Sequence, residues 1–182
     1  MSLINIKDNL LERVAFHPSP NHDARPIEQD ISLIVIHSIS LPPGIYGGNE
    51  IKDFFLNQLD TSKHEYFKSI KDLKVSSHIV IKRTGEILQF VPFNKRAWHA
   101  GISSYLGREN CNDYSVGIEL EGTDDNEFTN EQYNSLMNVT SSLIKTYSNL
   151  SKDRLVGHSD IAPGRKTDPG SFFEWERLLI NL

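Results

Sequence analysis

The sequence predicts an α+β fold, a central mixed β-sheet flanked by helices, and three stretches carry that expectation. Residues 31–36 are rich in β-branched residues and leucine, which suits a strand buried on both faces, and the run stops at His37. Residues 115–121 alternate strictly. Val116, Ile118 and Leu120 share one face, and Ser115, Gly117, Glu119 and Glu121 share the other. Thr129 and Gln132 fit a capping box, after which Tyr133, Leu136, Met137, Thr140, Leu143, Ile144 and Tyr147 recur at helical spacing and predict the longest helix.

The remaining elements fall between these. Residues 1–30 are polar and broken by Pro18, Pro20 and Pro26, so an irregular arm lying over the domain is expected. The loop LPPGIYGGNE leads to a helix beginning near Glu50, with Asn49 placed to cap it and Ile51, Phe54, Phe55 and Leu59 on one face. The polar stretch TSKHEYFKSIKDLK fits no single pattern. HIVIKR and EILQFVP flank Thr84-Gly85 and predict a hairpin of two antiparallel strands. A short strand at Leu155-Val156 runs into Gly157-His158, and a final helix is expected over roughly 171–181.

At 182 residues the chain fits one domain, 1–182, and 38% hydrophobic against 24% charged residues is an ordinary globular balance. A net charge of −5 without a lysine or arginine block lacks the electrostatic footprint of a nucleic-acid binder. No run of about 18 apolar residues and no signal-peptide pattern is present, so no membrane partner is expected. Cys111 is the lone cysteine, in keeping with a reducing compartment; the cytoplasm is the expected location.

Among seven histidines, His37 and His158 each follow a short apolar strand and can project from a sheet end into loops. Asp168 follows His158 within Lys-Thr-Asp-Pro-Gly, where Pro169 and Gly170 can turn it back toward that histidine. Two imidazoles and a carboxylate leave a fourth tetrahedral position for water, the arrangement of catalytic zinc. Histidines at strand ends also serve as hydrogen-bonded structural residues, and both readings stand at this level. Lys166 can aim at the same point or sit solvated on the surface. Glu119 can serve as a base if the metal lies on its face of the strand, whereas Glu121 is expected to face solvent. Trp98, His99 and Ala100 form a loop suited to holding a sugar or peptide, or a packed tryptophan beside a surface histidine. His78, at a strand start, suits a structural role or one supporting a ligand.

VIHSISLPPGIYGG, VSSHIVIKRTGEILQFVPFNKRAWHAG, RENCNDYSVGIELEGTD and GHSDIAPGRKTDPG, in this order, closely resemble the AmpD family of cytoplasmic 1,6-anhydro-N-acetylmuramoyl-L-alanine amidases. These zinc amidases are related to bacteriophage-type lysozymes and peptidoglycan recognition proteins. The resemblance implies one catalytic Zn2+ held by His37, His158 and Asp168, with Glu119 and Lys166 at the two catalytic positions. It implies that Trp98, His99 and Ala100 line the groove for an anhydro-muropeptide substrate, in a monomer serving cell-wall peptide recycling. Ser38, Asn110 and Lys74 depart from the residues usual in the family, asparagine, arginine and arginine. Lysine does not reproduce arginine's bidentate fork, so contacts to sugar and peptide carboxylates are where these departures bear. A non-catalytic peptidoglycan-binding module, an amidase of intact wall and a structural zinc site are the rival expectations.

Overall fold

The computed structural model describes residues 3–182. Its strands are β1 (Ile6–Lys7), β2 (Leu10–Leu11), β3 (Ala15–Phe16), β4 (His22–Ala24), β5 (Leu33–Ile39), β6 (Ile79–Ile81), β7 (Ile87–Gln89), β8 (Lys95–Ala97), β9 (Ser104–Tyr105), β10 (Arg108–Glu109), β11 (Ser115–Glu121) and β12 (Leu155–Gly157). The helices are α1 (Glu50–Phe55), α2 (Glu65–Ile70), α3 (Asn130–Thr146), α4 (His158–Ile161) and α5 (Trp175–Leu179). Six strands form the central sheet in the order β12-β5-β11-β6-β7-β3. β12, β5, β11 and β6 run parallel, β7 is antiparallel to β6, and β3 closes the edge parallel to β7. The expected mixed sheet with flanking helices is therefore present.

Both faces of the β5 and β11 strands are covered. Ile34, Ile36, Val116, Ile118 and Leu120 pack with Tyr133, Leu136, Val139 and Leu143 of α3. Burying a leucine such as Leu136 or Leu143 completely contributes about 1.5–3 kcal/mol, so this helix is held chiefly by its apolar stripe. Its start is fixed by the expected capping box, in which Thr129 Oγ1 accepts from Gln132 N and Gln132 Oε1 accepts from Thr129 N. On the opposite face, Leu33 and Val35 join Ala100, Cys111 and Ile161, while Val80 packs with Phe54 and Phe55 of α1 and Phe67 and Ile70 of α2.

The parallel register puts His37 beside Glu119 and Val35 beside Gly117. Successive residues of a strand alternate in direction, so His37 and Glu119 leave neighbouring strands on the same face.

Several expectations need correction. The N-terminal arm is not irregular: β3 supplies a sheet edge and β4 pairs with β8. Backbone pairing absorbs a segment whose prolines suggested none. β5 runs past His37 to Ile39 and begins at Leu33, leaving Ile31 buried outside it. Asn49 stands at the α1 N-cap without a side-chain capping bond, and Leu59 lies beyond the helix. The uncommitted polar stretch contains α2, started by His64, whose Nδ1 accepts from Tyr66 N. The last helix spans only Trp175–Leu179. Glu121 does not face solvent: it is 2% exposed and accepts from Gly47 N at 2.6 Å and Arg83 N at 2.9 Å. A polar strand face covered by loops reads, in sequence, like one facing water.

Candidate active site

Each side chain of the site is placed by a different element. His37 rides on β5, Glu119 on β11, and His158 opens the single turn α4 immediately after β12. Asp168 lies in the loop after α4, tied back because Ser159 N donates to the Asp168 carbonyl at 3.0 Å. The result is a tight triangle. His37 Nδ1 lies 2.9 Å from His158 Nδ1, and each of these nitrogens lies 3.0 Å from Asp168 Oδ2.

The protonation of His158 follows from its other nitrogen. Nε2 lies 3.0 Å from the Ala100 carbonyl oxygen, which can only accept, so Nε2 carries a proton there and Nδ1 is the nitrogen turned to the triangle. Burial, opposed by the hydrogen bond to Asp168, brings His37 down to about 4. Burial works to raise the Asp168 carboxyl, but hydrogen bonds from His158 and His37 outweigh it and hold the group below its ordinary range. Metal ligation requires neutral imidazole and ionised carboxylate, and the lowered values of His37 and Asp168 agree with that. Separations near 3 Å also suit ligand atoms that share one tetrahedral ion at about 2.0–2.2 Å. These three residues therefore form a donor set that can hold a metal ion.

Glu119 faces the same cavity, 9% exposed, with Oε2 buried and lacking a hydrogen-bond partner. Burial, then the negative charge of Asp168, raises its pKa well above the ordinary carboxyl value, while the Lys166 charge works the other way. Lys166 itself is exposed on the loop preceding Asp168. The cavity measures about 660 Å³ and is lined by His37, Glu119, His158, Asp168, Lys166 and Trp98, with Leu41, Phe54, Ile70 and Leu73 supplying apolar wall.

The remaining expected residues separate. Trp98 lines the cavity. Ala100 is fully buried and contributes its carbonyl, which accepts from His158 Nε2 and, at 2.6 Å, from Arg165 Nη2. His99 touches the cavity but also reaches behind His37, with Nδ1 2.9 Å from His37 Nε2. His78 is buried below, its Nδ1 accepting from Gly117 N. Ser38 Oγ donates to Asp124 Oδ1 at 2.8 Å, and Thr167 donates to Oδ2 of the same carboxylate. Asp124 thus ties together the segments flanking His37 and Asp168. Sequence reading missed Asp124, which joins Ser38 and Thr167, and Asn112 and Ser115, whose side chains meet the His99 loop, because nothing in a polar residue's local context marks a partner that only the fold brings close.

A three-ligand cluster beside an unpaired buried carboxylate, at the floor of an open groove, is the arrangement of a single-metal hydrolase. The comparisons specify which kind. The model of the N-acetylmuramoyl-L-alanine amidase family, Amidase_2, matches residues 27–171. The chain is 51% identical over 178 residues to the 1,6-anhydro-N-acetylmuramyl-L-alanine amidase AmpD of Haemophilus influenzae, covering 98% of this chain and 97% of the relative. Its fold is similar to a crystal structure of an AmpD selenomethionine derivative, with a TM-score of 0.94 at 49% identity over 97% of this chain and 98% of that one. It is also similar, with a TM-score of 0.61 at 28% identity, to AmiD from Escherichia coli in complex with anhydro-N-acetylmuramic acid-L-Ala-D-gamma-Glu-L-Lys, covering 98% of this chain and 65% of that one. The chain belongs to the N-acetylmuramoyl-L-alanine amidase family.

Proposed function

We propose that this protein hydrolyses the amide bond between 1,6-anhydro-N-acetylmuramic acid and L-alanine in muropeptides, as a monomeric, cytoplasmic enzyme of cell-wall peptide recycling. The observation that carries the reading is the convergence of His37, His158 and Asp168 within 3.0 Å of one another at the floor of a groove that also holds Glu119. Similarity to AmpD over nearly the whole chain, at 51% identity, supports the anhydro substrate. No helix among the described residues is long and apolar enough to cross a membrane.

His37, His158 and Asp168 hold the zinc ion in this reading. Zinc bound there would supply an acidified water and polarise the scissile carbonyl. Glu119 takes the proton of the attacking water, a role suited to a buried carboxyl of raised proton affinity. Attack on the lactyl carbonyl carbon gives a tetrahedral oxyanion, which the Lys166 ammonium stabilises. Glu119 then returns its proton to the alanine nitrogen as the carbon–nitrogen bond breaks, leaving a lactyl carboxylate and a free peptide amine. Trp98 and the apolar wall around Leu41 and Leu73 hold the substrate and exclude water.

The test is product analysis by mass spectrometry after incubation with anhydro-muramyl peptide, ordinary muramyl peptide and intact peptidoglycan. Cleavage at the lactyl–alanine amide, fastest on the anhydro substrate, is expected. Faster release from intact wall, or cleavage elsewhere, contradicts the reading.

A further inference from the structure

The two ends of the His37 imidazole face different surroundings. Nδ1 points to His158 and Asp168, while Nε2 lies 2.9 Å from Nδ1 of His99. His99 is engaged on its far side too, with Nε2 3.1 Å from Ser115 Oγ. Ser115 is completely buried at the start of β11. A chain of three side chains therefore runs from the candidate metal centre into the sheet.

This chain is built into the fold. The His99 ring lies over Gly117, where a Cβ would come within 2.5 Å of the ring's Cγ and Nδ1. A glycine in the middle of a central strand normally weakens it, and here its missing side chain makes room for the imidazole. The backbone of the same loop is pinned from beneath, since Asn112 Oδ1 accepts from His99 N at 3.1 Å and Ala100 N at 2.8 Å.

We propose that His99 is a positioning residue for His37, with the Ser115 hydroxyl as its anchor, and that this chain ties the two ring tautomers together, so that metal on His37 Nδ1 fixes the protons of both rings on Nε2. The inference rests on the zinc reading above. A neutral imidazole has one N–H and one lone pair. For Nδ1 of His37 to ligate, Nε2 must carry the proton and donate to His99 Nδ1. His99 must then carry its own proton on Nε2 and donate to Ser115 Oγ. In the opposite polarity Ser115 donates to His99 Nε2 and His99 donates to His37 Nε2. His37 then holds its proton on Nδ1, aimed at Asp168, and has no lone pair left for a metal. A hydroxyl both donates and accepts, so Ser115 satisfies either polarity, and each ring's tautomer is tied to its neighbour's. Metal-binding histidines are generally oriented by a partner on the second nitrogen.

Zinc affinity and imidazole spectra test the proposal. His99→Phe keeps a flat ring over Gly117 and deletes both nitrogens; Ser115→Ala deletes only the anchor. Competition with a chromophoric chelator should show zinc binding weakened about 10–100-fold in His99→Phe. The loss in Ser115→Ala should be about 2–10-fold, the range for one hydrogen bond. Long-range 1H–15N spectra of the zinc-loaded protein should show His37 and His99 both protonated at Nε2. A His99 protonated at Nδ1 in that state overturns the proposal. Unchanged zinc affinity in His99→Phe together with a raised KM also overturns it, and returns His99 to the groove wall. If His99→Phe does not fold, Ser115→Ala decides: wild-type affinity with unaltered His99 spectra rejects the anchor. His37→Ala serves as the control, because full zinc retention there removes the zinc reading itself, whereas loss there with retention in His99→Phe removes only this chain.

Discussion

Replacing Glu119 with glutamine should slow the enzyme and stabilise its metal-free fold. The carboxyl is 9% exposed, its Oε2 has no hydrogen-bond partner, and burial followed by the charge of Asp168 raises its pKa well above 4.5. The folded state thus holds this proton more tightly than the unfolded chain. Stability is unaffected below the unfolded value, and falls as pH rises from there through the raised folded value, because the ionised group is buried unpaired. Glutamine does not titrate, so Glu119→Gln should flatten this decline in the metal-free protein. Single stabilising substitutions commonly contribute about 0.5–2 kcal/mol, and a gain of that order is expected at neutral pH. The rate of amide cleavage should fall by about 10²–10⁴, the range for losing a general acid–base group. Urea unfolding of chelated wild type and variant at acid, neutral and alkaline pH gives the first quantity, and muropeptide turnover gives the second. A variant no more stable at alkaline pH, with the wild-type pH slope, would refute the burial argument; near-normal turnover would refute the catalytic one.

Two further substitutions separate chemistry from architecture. Lys166→Met should retain zinc and KM while lowering kcat about 10²–10³-fold, as for a lost oxyanion donor. A raised KM with normal kcat in steady-state kinetics would instead make Lys166 a partner of a peptide carboxylate. Glu121→Ala removes the acceptor of Gly47 N and Arg83 N and should cost about 2–4 kcal/mol in urea unfolding without changing zinc content. A cost below about 1 kcal/mol would show that these donors find other partners.

The parts of the fold written in local periodicity were legible. β11, the β6–β7 hairpin and α3 with its capping box appear where alternation, Thr84-Gly85 and the Thr129–Gln132 spacing put them. Short strands such as β3 and β4 were not, because two- or three-residue pairings depend on a partner distant in sequence and leave no period. The burial of Glu121 escaped for a related reason: backbone N–H groups from two loops make the face dry, and alternation shows only that a face is polar. For the site, residue types and strand ends singled out His37, His158 and Asp168, and the resemblance supplied their roles. What lies behind them was invisible. Gly117 looked like one more small residue on the polar face, and only the packed structure places the His99 ring over it.

In the function proposed above, His37, His158 and Asp168 hold the zinc on which amide cleavage depends. The most direct measurement is zinc content and muropeptide cleavage, taken on the same samples of chelated protein before and after adding one equivalent of Zn2+, with His37→Ala, His158→Ala and Asp168→Ala alongside. Chelation should abolish cleavage, stoichiometric zinc should restore it in the wild type, and each variant should lose both metal and activity. Full activity in demonstrably metal-free protein, or full zinc occupancy in all three variants, would contradict that reading.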